Sequence, residues 1–191
     1  MTSDTNRYVF GFLLAVGLII VVIILIVHGL TSGPTSAPIV PKKLTDYVGT
    51  NTAMQFTIDS PVTAAEKHND VIINVSNYQA TLTVTQGYEG EVIRSQSYPM
   101  SSNAYGIFLR ALSYNGFTQG NNDPALKDER GRCALGDRFI YEIIDGNGDD
   151  VQRYWYTSCN NGTFGGDAHV IRQLFVNQIP DYNKLTTNIR L

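Results

Sequence analysis

Two cysteines, Cys133 and Cys159, are the only ones in the chain, and they bracket a stretch that reads as a β-hairpin. No other feature limits the fold as much. Arg138 to Ile144 and Val151 to Ser158 are rich in β-branched and aromatic side chains, with Asp145-Gly146-Asn147-Gly148-Asp149-Asp150 between them. Asn-Gly is the strongest short hairpin signal, because a two-residue type I′ turn needs positive φ at both positions. With Asn147-Gly148 as the turn, Ile144 faces Val151, Glu142 faces Arg153 and Ile140 faces Trp155. On the other sheet face Tyr141 meets Tyr154 and Phe139 meets Tyr156. Such pairs contribute about 0.2–1 kcal/mol each, and a one-residue slip forfeits all of them.

Cys133 and Cys159 lie just outside the paired strands, where a disulfide is expected. Closing a loop of this length stabilises a fold by about 3.5 kcal/mol on the chain-entropy argument. The bond also demands an oxidising compartment. The N-terminus supplies a route to one. Val9 to Val27 is unbroken in its apolar character and is followed by His28, Gly29 and Leu30. At 1.5 Å per residue that run spans a bilayer core of about 30 Å. A cleaved signal peptide has a shorter apolar core and a small-x-small site, and the nearest candidate, Thr35-Ser36-Ala37, is followed by Pro38. The expectation is an uncleaved signal anchor over 9–30 behind a short cytoplasmic tail, 1–8. Flanking charge does not orient it, with Arg7 on one side and Lys42 and Lys43 on the other. The cysteine pair does: the C-terminal domain is placed outside the cytoplasm, on a single-pass protein of the cell membrane.

Residues 31–47 hold Pro34, Pro38 and Pro41 among small polar residues and read as a semi-extended spacer. Residues 48–191 are then the extracytoplasmic domain. Gln55 to Ile58 reads as a short strand, and Ser60-Pro61 opens a short helix through Lys67. Val71, Ile73 and Val75 alternate, as do Tyr78, Ala80, Leu82 and Val84 against Thr81, Thr83 and Thr85; Gly87-Tyr88-Glu89-Gly90 turns, and Glu91 to Tyr98 returns, so residues 71–98 read as a second hairpin. Ala104, Ile107, Phe108, Ala111 and Leu112 repeat at helical spacing over 102–115, with Asn115-Gly116 as a left-handed stop. A second helix runs from an Asp167 N-cap to Gln178, and Gly162 to Gly166 reads as a short edge strand. The economical packing is an α+β domain: an antiparallel sheet of four to five strands built from two β-hairpins, with two amphipathic helices on one face, preceded by one N-terminal transmembrane helix.

The net charge of −3 offers no basic excess, so nucleic acid is not an expected partner. No P-loop, dinucleotide glycine motif, Gly-x-Ser-x-Gly elbow or His-Glu-x-x-His sequence occurs. Asp145 to Asp150 resembles the start of an EF-hand loop, but Asp150 stands where Gly belongs and Tyr156 where a bidentate Glu belongs. His68, His169 and the cysteines show no zinc spacing. No metal or cofactor is therefore expected. Tyr141, Tyr154, Trp155 and Tyr156 cluster on the central hairpin, and such side chains are common at binding surfaces. They are the candidate surface for a protein or glycan partner. The loop from Thr118 to Arg132 is long enough to suggest a role of its own.

Tyr156-Thr157-Ser158-Cys159 at a strand end, with Arg172 downstream, resembles a sortase. That resemblance implies a cysteine transpeptidase with Cys159 as nucleophile. His68 lies farther upstream than the sortase histidine, and the helix read around Arg172 replaces a sortase strand. The segments Asp128 to Cys133, Tyr154 to Cys159 and Phe175 to Tyr182 resemble uncharacterised single-pass surface proteins of small-genome, host-attached bacteria. This implies a bacterial cell-surface location and no activity. The sequence favours a membrane-anchored, disulfide-stabilised, non-catalytic binding domain, held to the membrane through 9–30. The alternatives are the sortase-like enzyme and a structural component of an envelope assembly.

Overall fold

The computed structural model describes residues 18–19 and 43–189. The anchor read over 9–30 lies outside the described residues apart from Leu18 and Ile19, and among the described residues no helix is long and apolar enough to cross a membrane. The chain divides into two compact units, of which the second, Lys43–Leu191, carries the sheet. Packed residues reach into the stretch read as spacer: Leu44–Tyr47 forms a 3-10 turn whose Leu44 and Tyr47 are buried.

The strands are β1 (Ala53–Asp59), β2 (Asn69–Ser76), β3 (Gln79–Gln86), β4 (Glu91–Pro99), β5 (Arg138–Ile144) and β6 (Asp150–Thr157). They form one antiparallel sheet in the order β4-β3-β2-β1-β5-β6. Three short helices accompany it: α1 (Ser102–Tyr114), α2 (Ala168–Val176) and α3 (Tyr182–Leu185). Within residues 43–189, six strands and three helices replace the expected four to five strands from two hairpins and two helices.

The physical reasons are local. The alternating run from Val71 to Val84 folds back at Asn77-Tyr78, where the Ser76 hydroxyl accepts the amides of Tyr78 and Gln79. The turn leaves only a slip in the alternation, whose apolar positions step from odd (Val71, Ile73, Val75) to even (Ala80, Leu82, Val84) across Ser76-Asn77. The short strand read at Gln55–Ile58 is part of β1, which pairs with both β2 and β5 and so lies inside the sheet. No helix starts at Ser60, because its hydroxyl accepts the Asn69 amide instead of capping, and only a 3-10 turn forms at Ala65–Lys67. The edge strand read at Gly162–Gly166 is reduced to the isolated bridges Gly120↔Phe164 and Tyr156↔Gly162.

One sheet face carries the core. Met54, Phe56, Ile58, Val71, Ile73, Val75, Leu82 and Val84 alternate along their strands and are buried beneath Tyr105, Phe108, Leu109 and Leu112 of α1 and Ile171 and Phe175 of α2. Each such side chain contributes about 1.5–3 kcal/mol of transfer free energy. The expected helix signals are present. Ser101 Oγ accepts the Ala104 amide at 3.2 Å. Gly116 adopts φ +78°, and the Phe117 amide donates back to the Leu112 carbonyl. Ser101→Ala is expected to cost about 1 kcal/mol, read as a lower urea midpoint with an unchanged slope.

The central hairpin keeps its expected register from Phe139↔Tyr156 to Glu142↔Arg153, but not at its tip. Ile144 faces Asp150, and the register shifts by one residue next to it. The two-residue Asn147-Gly148 turn is not formed. Only Gly148 has positive φ there, the Gly148 amide bonds the Asp145 carbonyl, and the Asp145 amide bonds the Asp149 carbonyl. The loop is therefore Gly146-Asn147-Gly148, with glycine in the left-handed position. Asp145 Oδ1 accepts the amides of Asn147 and Asp149, and these bonds hold its carboxyl below the usual carboxylate range. The acidic stretch is accounted for as a turn.

Loop 118–132 wraps the second face and outer edge of this hairpin. Trp155 Nε1 donates to the Leu126 carbonyl at 2.7 Å, and the Tyr154 hydroxyl donates to Asn122 Oδ1 at 2.8 Å. Arg153 donates to the Lys127 carbonyl and ion-pairs with Glu129 and Glu142. The length of the loop serves burial of the sheet.

Candidate functional site

With loop 118–132 in place, the hairpin does not present its four aromatic residues as an open face. Of the four residues expected as a surface, Tyr141, Tyr154 and Trp155 are 1%, 3% and 3% exposed, and Tyr156 is half-buried. Trp155 lies under the loop and Tyr154 at the outer edge, 6.5 Å from the Phe164 ring. What remains accessible is a cleft of about 520 Å³, within the range of small-ligand sites.

The cleft forms where α2 begins beside the hairpin. Phe139 and Tyr156 are register partners across β5 and β6, and Tyr141 is two residues further along β5 on the same face. Their rings form the floor, together with Phe164, stacked on Tyr141 at 4.1 Å. The chain can bring Phe164 there because the amides of Thr163 and Phe164 both bond the Trp155 carbonyl. The opposite wall comes from the first turns of α2: Asp167, His169 and Arg172. Asp167 is the N-cap, its Oδ1 accepting the Val170 amide at 3.0 Å.

Arg172 gives the cleft its charge. Its guanidinium carbon sits 5.6 Å from the centroid of the Phe139 ring, within cation–π range. Among the described residues Arg172 enters no salt bridge. Burial pushes the nearby Tyr141 and Tyr182 phenols above their ordinary value, partly opposed by the Arg172 charge. Burial likewise raises the Asp137 carboxyl, again opposed by Arg172. The wall thus offers a planar set of N–H donors over an aromatic floor, with a carboxylate and an imidazole alongside. The lining includes no Ser, Thr, Cys or Lys.

Cys133 and Cys159 are bonded to each other, as their flanking positions predict, and no described cysteine is free. The bond is compatible with an extracytoplasmic domain. It also removes the nucleophile that a sortase-like enzyme requires, because Cys159 has no thiol. Arg172 lies on α2 rather than on a strand. His169 lines the cleft, whereas His68 is 4% exposed and held between Asp59 and Asp70. The sequence did not mark Arg172 as a cleft cation, Phe164 as part of the floor, or the company of His68. The Arg172 signal was available: a cation next to Ile171 of the apolar stripe, in the first turns of an amphipathic helix. The Phe164 signal was not, since its position depends on a bridge to Gly120. The chain matches no family model, and no curated protein is significantly similar to it.

Proposed function

We propose that this chain is a non-catalytic, extracytoplasmic binding domain held at the cell membrane by its apolar N-terminal run, and that its cleft receives a saccharide unit of a glycan. The observation that carries the reading is the half-buried Arg172, which enters no salt bridge among the described residues, over an aromatic-floored cleft. A sugar ring has one apolar face of C–H groups and a rim of hydroxyl or carboxylate oxygens. The Tyr156 and Phe164 rings suit the first, and the guanidinium, Asp167 and His169 suit the second. Arg is suited to oxygen pairs because its fork donates two parallel N–H bonds. The disulfide and the apolar run Val9–Val27 support the location.

Saturation-transfer NMR against neutral and acidic saccharides tests the reading. Transfer from the protein to ring protons of at least one saccharide is expected. Arg172→Ala is expected to weaken that binding at least tenfold, and Tyr156→Ala to reduce transfer to the apolar ring face. Absence of transfer to every saccharide, or an undiminished affinity in both variants, contradicts it.

A further inference from the structure

A second constellation, sharing no residue with the cleft, sits where β1 ends and β2 begins. Asp59 and Asp70 are direct cross-strand partners. Like charges placed opposite each other destabilise an antiparallel pair. His68 Nε2 lies 3.5 Å from Asp59 Oδ1 and 3.5 Å from Asp70 Oδ1. One ligand atom from each of the three residues falls within 4.8 Å of the other two. We propose that Asp59, His68 and Asp70 bind a divalent transition-metal cation of the zinc class.

The spacing suits a shared cation. A protonated Nε2 would draw one carboxylate to about 2.7–2.9 Å. Two oxygens at an equal 3.5 Å leave it no short partner. Metal bonds of about 2.0–2.2 Å from imidazole and carboxylate set ligand atoms about 3.4 Å apart along a tetrahedral edge. Asp70 Oδ1 is sealed from solvent and has no hydrogen-bond partner, an arrangement that costs free energy unless a ligand satisfies it.

The surrounding groups aim the ligands. His68 Nδ1 is 3.1 Å from Ser60 Oγ and 3.4 Å from the Pro61 carbonyl. With the ring proton on Nδ1, directed at the Pro61 carbonyl and Ser60 Oγ, the Nε2 lone pair faces the two carboxylates. Arg138 donates to both oxygens of Asp59, at 2.6 Å and 2.5 Å. Each carboxylate oxygen has two lone pairs, so Asp59 Oδ1 can keep Arg138 and still face a cation. Thr85 donates to Asp70 Oδ2. Outer-shell bonds of this kind accompany most metal-binding histidines and carboxylates. The Tyr88 ring stacks on His68 at 4.3 Å and covers the site. The cation would clamp the ends of the loop that joins β1 to β2.

The test titrates Zn2+ into full-length protein in detergent after chelator treatment. One Zn2+ per chain is expected to bind saturably, and Asp70→Asn is expected to weaken it tenfold or more. In 1H–15N spectra of the unsubstituted chain, the amides of His68, Asn69 and Asp70 are expected to move on addition of Zn2+. No saturable binding, equal affinity in D70N, or shifts confined to residues around His169 would overturn the proposal.

Discussion

Replacing Arg153 by alanine lowers the folding free energy by about 3–5 kcal/mol, the cost of leaving buried charges without their partner. Arg153 Nη1 reaches Glu129 Oε2 at 2.5 Å and Nε reaches Glu142 Oε1 at 2.8 Å. Glu129 and Glu142 are 6% and 7% exposed. Glu142 keeps one further donor, Gln55 Nε2 at 2.9 Å. The variant therefore strands two carboxylates between the sheet and loop 118–132, and urea unfolding reads the loss.

Its pH dependence has a definite sign. Burial already raises the Glu142 carboxyl above its ordinary value in the folded protein. The folded state then binds a proton more tightly than the unfolded chain, so this group favours folding at low pH and loses that advantage as pH rises through the folded value. Without Arg153 the upward shift grows. The deficit of the variant relative to the parent is expected to narrow as pH falls from 7 toward the carboxylate range. Replacing the whole triad by apolar residues of similar volume is expected to recover most of the stability. A deficit below 1 kcal/mol for Arg153→Ala at pH 7 would show that the triad does not hold the loop.

The second large effect belongs to the disulfide. The double change Cys133→Ser and Cys159→Ser opens a link spanning 26 positions and is expected to lower stability by about 3.5 kcal/mol. For a domain of this size that corresponds to a fall in Tm of about 10 °C. The effect acts mainly on the unfolded chain, so saccharide binding at the cleft is expected to survive below the new Tm. Loss of the cleft in a chain that remains folded would tie the bond to the site itself.

These two predictions rest on features of different legibility. The Glu142–Arg153 pair follows from the hairpin pattern alone, because strand alternation fixes which side chains face each other. The register survives even though the tip was misread. The three-residue loop is one residue longer than the two-residue turn, and the register shift beside Ile144 restores the pairing beyond it. Glu129 could not be read in the same way: it reaches Arg153 through an irregular loop with no periodicity. The strand count failed for a related reason. Periodicity marks strands on both sides of Asn77-Tyr78, and the turn between them shows only as a phase slip, from Val71, Ile73 and Val75 to Ala80, Leu82 and Val84. The helices were legible because caps and stripes agreed, from Ser101 and Gly116 to Asp167.

The candidate sites divide along the same line. Aromatic enrichment identified the right hairpin but not which rings stay accessible, since that depends on loop 118–132. Arg172 and the aromatic floor come from separate elements, and His68 meets Asp59 and Asp70 only because β1 and β2 pair in one register. Spacing rules for metal motifs rely on ligands close in sequence. Here the cross-strand partner supplies one of the carboxylates, and the bridging loop supplies the histidine.

The reading of the chain as a disulfide-stabilised extracytoplasmic domain is tested most directly by thiol alkylation and mass measurement of full-length protein purified without reductant. The account predicts no label before reduction and two labels after it. Two labels before reduction, on a chain that remains folded, would contradict both the oxidising location and the stabilising bond.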